Sequence, residues 1–162
     1  MSANRYVPHI HVLPEDDANR QIANGFLLDE SLFARRFHVL EEAGGWHQVV
    51  ERFLRIYASQ MEQIPKRLMI LLIDCDQHPE RQVEVKEQIP GHLRERVFVL
   101  GVLSNPEELR KDLGSLESIG LGIARDCREG TGLVWNHRLL RHNAGEVGRL
   151  TEQAKPILFP SI

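Results

Sequence analysis

The stretch RLMILLID, residues 67–74, is apolar at successive positions over the length of one strand. A strand with one wet face alternates apolar and polar residues. A strand of a parallel sheet is covered by helices on both faces and reads as a nearly unbroken apolar run. RVFVLGVL, residues 96–103, has the same character. Two strands of this kind restrict the chain to folds in which helices pack on both sides of a sheet.

The flanking segments supply those helices. HIHVL (9–13) reads as a first strand, and DDANRQIANGFLLD then places Ala18, Ile22 and Phe26 four apart, with Ala23 and Leu27 beside them, on one helix face. Asp16 or Asp17 suits its N-cap. A second short strand, Phe37 to Leu40, runs into the Gly44-Gly45 turn. Trp46, Val49, Val50, Phe53, Leu54, Tyr57 and Met61 form a helical stripe that Pro65 ends. HPERQVEVKEQI predicts a third helix, with Pro79 near its first turn. NPEELRKDLG has an Asn cap, Pro next and a terminal Gly114, the punctuation of a fourth. Residues 115–155 read as mostly helical (LESIGLGIARDCRE, LVWNHRLLRH, AGEVGRLTEQA), and KPILF (155–159) as a last short strand. The order predicts an α/β fold: a Rossmann-like parallel sheet of about four strands, helices on both faces, right-handed crossovers and a helical C-terminal extension. A length of 162 residues suits one domain.

In such sheets ligands bind beyond the carboxyl ends of the strands, where the strand order reverses. Acids gather at two of those ends. The first strand runs into Glu15, Asp16 and Asp17, and the third ends in Asp74-Cys75-Asp76. If the two strands are neighbours, as in flavodoxin-like order, the clusters adjoin. Period-2 geometry puts Asp74 and Asp76 on one side and Cys75 on the other. Taken singly, Asp16 and Asp17 read as helix caps and Asp76 as a turn residue. Taken together on one rim, the carboxylates repel unless a cation joins them. Three such oxygens with open positions suit Mg²⁺ or Mn²⁺, hard ions that keep several waters for a phosphate substrate.

Other residues point less sharply. His9 and His11 alternate on the first strand, and His47 opens a helix whose N–H groups could hold an anion. VWNHRLLRHN (134–143) reads as a polar helix face. His137 and His142 there make a poor zinc set with Cys127, though Arg128, Arg138, Arg141 and His142 form a small basic patch for phosphates or a partner. GLGIA (120–124) follows no strand, so it is no dinucleotide fingerprint and suits close helix packing. Cys75, between two acids, is a blunted nucleophile. Two cysteines give no disulfide framework, and the net charge of -3 leaves no global basic field, although a local groove would serve a nuclease. Without a signal-peptide core at MSANRYVPHIHV or a membrane-length apolar run, a cytoplasmic protein is expected.

The strand-end acids resemble those of the TOPRIM domain of topoisomerases, primases and OLD-family nucleases, where a glutamate ends the first strand and an Asp-x-Asp the third. VLPE carries Glu15, LLIDCD carries Asp74 and Asp76, and the Gly44-Gly45 turn is also TOPRIM-like. The resemblance covers residues 7–113 and leaves 114–162 as the helical extension. Many OLD-like members follow the glutamate with Gly and place an Asp four positions on; here those positions hold Asp16 and Asn19. The resemblance implies metal-dependent phosphoryl transfer, namely cleavage of a nucleic-acid phosphodiester. Glu15 would be general base or metal ligand, Asp74 and Asp76 would hold Mg²⁺ or Mn²⁺, and Asp16 or Asp17 would be auxiliary ligands. Glu107 or Glu108 is either a further ligand or a helix-start residue. OLD-like nucleases are usually linked to an ATPase, so an ATPase subunit in trans is an implied partner. The competing expectation is a non-catalytic module acting with a partner protein. Asp16, Asp17, Asp74, Ser104 and Lys155-Pro156 also resemble the metal acids, phosphoacceptor, hydroxyl and lysine of a response-regulator receiver domain. The intervals from Glu15 to Asp74 and from Ser104 to Lys155 are longer than receivers usually have.

Overall fold

A computed structural model describes residues 6–160. Strand β1 (His9–Pro14) leads into α1 (Asp17–Phe26) and, after a 3₁₀ turn, β2 (Phe37–Val39). One helical run follows, made of α2 (Trp46–Arg52), a π turn (Phe53–Tyr57) and α3 (Ala58–Gln63). Then come β3 (Arg67–Asp74), α4 (Glu80–Gln88), β4 (Val97–Val102), α5 (Pro106–Leu113), α6 (Leu116–Glu129) and α7 (Ala144–Leu158). The four strands are all parallel, in the order β2-β1-β3-β4. The chain therefore leaves β1 to one side for β2 and to the other for β3. That reversal lies between β1 and β3 and sets their carboxyl ends next to each other, a flavodoxin-like arrangement.

The unbroken apolar strands are buried on both faces, as parallel strands must be. Leu13, Met69, Leu71, Ile73 and Val99 pack beneath the α2–α3 run and α4. Ile10, Val12, Ile70, Phe98 and Leu100 pack against α1 and α7. The stripe expected from Trp46 to Met61 is kept, except that Leu54 turns outward and is 43% exposed. The π turn across Phe53–Tyr57 carries the extra residue that brings Met61 back to the sheet. Across α1, helix α6 passes so closely that a Cβ on Gly25 would fall on the Glu117 carbonyl, and one on Gly120 on the Ile22 carbonyl. The small residues of GLGIA thus serve helix packing, as expected.

Two C-terminal expectations are corrected. KPILF is not a strand: α7 continues to Leu158 with Pro156 in its last turn. Leu150, Ala154 and Leu158, spaced by four, form its buried stripe. The outer edge of β4, where a further strand would pair, is already filled by side chains. Asn143 accepts from Gly101 N at 3.0 Å and donates to Gly101 O at 2.9 Å. Glu146 accepts from Val99 N at 2.9 Å, Gln82 donates to Val99 O at 3.0 Å, and Lys86 donates to Val97 O. Burial pushes the Glu146 carboxyl up, but the Val99 N–H, Arg149 and Lys86 outweigh it and hold it below its usual range. The segment LVWNHRLLRH is not helical either. The buried Asp126 carboxylate accepts from the N–H groups of Leu133, Val134 and Trp135 and holds this stretch in turns. The two histidines of this segment part company. His137 sits 2.7 Å from Asp112, and both ring nitrogens of His142 are buried.

Candidate metal centre

The site is built where β1 and β3 end. Glu15 continues the ladder for one residue, donating its N–H to Leu72 O at 2.8 Å. Gly44 N donates to Glu15 O, also at 2.8 Å, so the Gly-Gly turn lies along the same rim. Both glycines need their residue type, with φ of +100° and +153°. Asp16 is the N-cap of α1, its Oδ1 accepting from Asn19 N at 3.0 Å. Asp74 is the last residue of β3 and is buried. Its N–H donates to Glu15 Oε1 at 3.1 Å.

These placements bring one carboxylate oxygen each from Glu15, Asp16 and Asp74 within 4.8 Å of one another. Burial raises the Asp74 carboxyl to about 8, against the Asn19 amide that lowers it and with the charges of Asp16 and Glu15 that raise it. Burial also raises Glu15; the Asp74 N–H opposes this and the Asp16 charge adds to it. Carboxylates this close disfavour full ionisation unless a cation joins them. The cap role and the clustered role expected for Asp16 coexist in one residue.

Asp17 and Asp76 are not brought into this group. Asp17 lies in the first turn of α1, faces solvent and bonds Gln21 at 2.6 Å. Alternation does not carry Asp76 to the side of Asp74, because β3 ends at Asp74. Asp76 and Gln77 take φ of +50° and +67°. The Asp76 side chain turns outward, 68% exposed, to Arg81 at 3.5 Å. Arg81 lies 4.8 Å over the Trp46 ring and donates to Asp74 O at 2.9 Å. Glu107 pairs with Arg110 in the first turn of α5, where Glu108 also lies. Ser104 is buried just past β4, and Lys155 lies on α7 rather than on a strand. Burial first, then the nearby acids, raises the Cys75 thiol to about 12; it donates to Gln82.

One site residue was not anticipated. Asn19, fully buried, donates its amide to Asp16 Oδ1 and to Asp74 Oδ1, both at 2.9 Å. Its own Oδ1 is buried with no partner. The signal lay in an amide on the otherwise apolar face of Ile22, Ala23 and Phe26. Comparison with protein-family models, with characterised proteins and with solved structures gives no match.

Proposed function

We propose that Glu15, Asp16 and Asp74 hold a single divalent cation, Mg²⁺ or Mn²⁺, and that the protein is a TOPRIM-like nuclease or nuclease subunit acting on nucleic-acid phosphodiesters. The observation that carries this reading is the convergence of three carboxylate oxygens from two adjacent strand ends at the point of order reversal. The donor set fits a hard ion: all oxygen and anionic. A cation so placed supplies charge for a phosphoryl oxygen and lowers the pKa of a bound water.

The protein's own groups complete the chemistry. Asp74 would have to lose its proton to hold a cation. Asn19 keeps Asp16 and Asp74 at fixed spacing. Glu15 would act as a metal ligand or as the general base that accepts a proton from an attacking water. Arg81, stacked on Trp46, offers a guanidinium to a substrate phosphate. Its ion pair to Asp76 is mostly exposed on the acid side, and a pair of that kind is worth only about 0–1 kcal/mol and is readily exchanged.

A non-catalytic module acting with a partner, such as an ATPase subunit, is the second reading. The scarcity of positive charge beside the acids among the described residues favours it: Arg20 is taken up by Glu42 at 3.3 Å, which leaves Arg81 to meet a polyanion there. Exposed apolar surface does not, since Leu133 is the only strongly exposed large apolar side chain among the described residues of 115–155. Cleavage of single- and double-stranded DNA and RNA with Mn²⁺, by wild type and Asp74→Ala, separates the two. Metal-dependent cleavage lost in the variant supports the nuclease; metal binding without cleavage supports the module.

A further inference from the structure

The opposite end of the sheet carries the opposite charge. His9 pairs in register with Arg67 and His11 with His38, so all four side chains fall on the sheet face beneath the α2–α3 run. The His11 ring centre lies 5.3 Å from those of both His9 and His38. Arg67 is only 6% exposed. Its Nε donates to His9 Nε2 and its Nη1 to Gln60 Oε1, each at 3.0 Å. His9 Nδ1 donates to Val7 O at 2.7 Å, which fixes its tautomer and leaves Nε2 as the acceptor that Arg67 uses. His38 Nε2 donates to Arg35 O at 2.9 Å, leaving its Nδ1.

Packing leaves two things unexplained here. A buried charge is costly unless paired. Yet among the described residues no carboxylate forms an ion pair with Arg67, His9, His11 or His38; the histidines that do pair with acids are His78, His92 and His137. What faces the cluster from the packed elements is neutral or positive: Gln60 from α3, and Arg96, which donates to Arg67 O at 3.1 Å. The second is His11 Nδ1, buried without a hydrogen-bond partner in a residue that is 9% exposed. An orphaned buried polar atom in a native fold marks the place of a water or an ion.

We propose that His11, His38 and Arg67 form a binding site for a small oxyanion, such as a phosphate group, at the amino end of the sheet. The anion supplies the counter-charge that Arg67 lacks, and the His11 Nδ1–H, which has no partner in the protein, donates to it beside His38. A guanidinium suits an oxyanion because it is always charged and presents several donors in one plane. The same guanidinium repels a divalent cation from these imidazoles. His38 is half-buried on the edge strand β2. Burial, and then the Arg67 charge, keep His11 neutral in the free protein. A neutral imidazole donates through one ring N–H, so His11 can bind the anion without taking up a proton. The site stands apart from the acids of the opposite rim and does not rest on the nuclease reading.

The test titrates inorganic phosphate into the ¹⁵N-labelled full chain at constant ionic strength and reads the histidine ring resonances. The expected result at pH 7 is a saturable shift of the His11 and His38 signals. The shift should be lost in Arg67→Gln. Because that variant removes a buried residue, His38→Gln at the sheet edge provides a second check with the same expected loss. Acetate in place of phosphate tells whether a carboxylate or a phosphoryl group is the better occupant, and saturation by either supports the site. No saturable shift with either anion would overturn the proposal, as would a response to Zn²⁺ alone.

Discussion

Asp74 is buried beside Glu15 and Asp16 and keeps a proton up to about pH 8. A carboxyl with a folded pKa above its ordinary 3.8 favours the fold at low pH, and that contribution is lost as pH rises towards 8. Asp74→Asn should therefore stabilise the metal-free chain relative to wild type at neutral pH, while abolishing metal binding. Denaturation midpoints across the pH range check this; a variant less stable than wild type at pH 7 would show that the carboxylate is not strained. His11 has the reverse sign, with a pKa lowered to about 3 by burial and then by the Arg67 charge. A lowered histidine stabilises the fold in full above its ordinary 6.5, and this is lost as pH falls towards 3. His11→Gln should flatten the loss of stability across that window, and an unchanged slope would refute the assignment. Of the site, Glu15, Asp16 and Asp74 were legible in the sequence, because strand length and acid position are local patterns. The outward turn of Asp76 was not. It depends on left-handed backbone at two residues, Asp76 and Gln77, neither of which is the glycine that normally announces such a turn. Asn19 was visible only as a polar break in a helix face, which by itself has no direction.

At the scale of elements, the crossing of α1 and α6 leaves no room for a single methyl at Gly25 or Gly120. Gly120→Ala should destabilise by about 1–3 kcal/mol, the usual cost of overpacking, despite its higher helix propensity. Urea denaturation gives the value, and a gain in stability would mean that the helices separate freely. The β4 edge is closed by Asn143, Glu146, Gln82 and Lys86 in place of a fifth strand. Asn143→Leu leaves the Gly101 N–H and C=O unmatched. It should cost at least the roughly 1–3 kcal/mol of an unsatisfied buried group and promote edge-to-edge association, measurable by light scattering. A monomeric variant of wild-type stability would contradict that role. The four strands and the helices up to Leu113 follow from periodicity and capping residues alone. LVWNHRLLRH and KPILF mislead, while AGEVGRLTEQA is helical as expected: Asp126 holds residues 133–135 in turns, and the side chains filling the β4 edge exclude the strand that KPILF resembles.

On the scale of the whole molecule, the sheet separates charge. Acids crowd the carboxyl ends of β1 and β3, while histidines and Arg67 lie at the amino ends. No helix among the described residues is long and apolar enough to cross a membrane. The order β2-β1-β3-β4 is what places Glu15 and Asp16 against Asp74, and the cation-binding role proposed for them rests on that adjacency. Calorimetric titration of Mn²⁺ and Mg²⁺ into the wild-type chain and into Asp74→Ala, with circular dichroism to confirm that the variant folds, tests it most directly. One ion should bind per chain of wild type and none to the folded variant. Equal binding by both proteins, or none by wild type at millimolar metal, would contradict it.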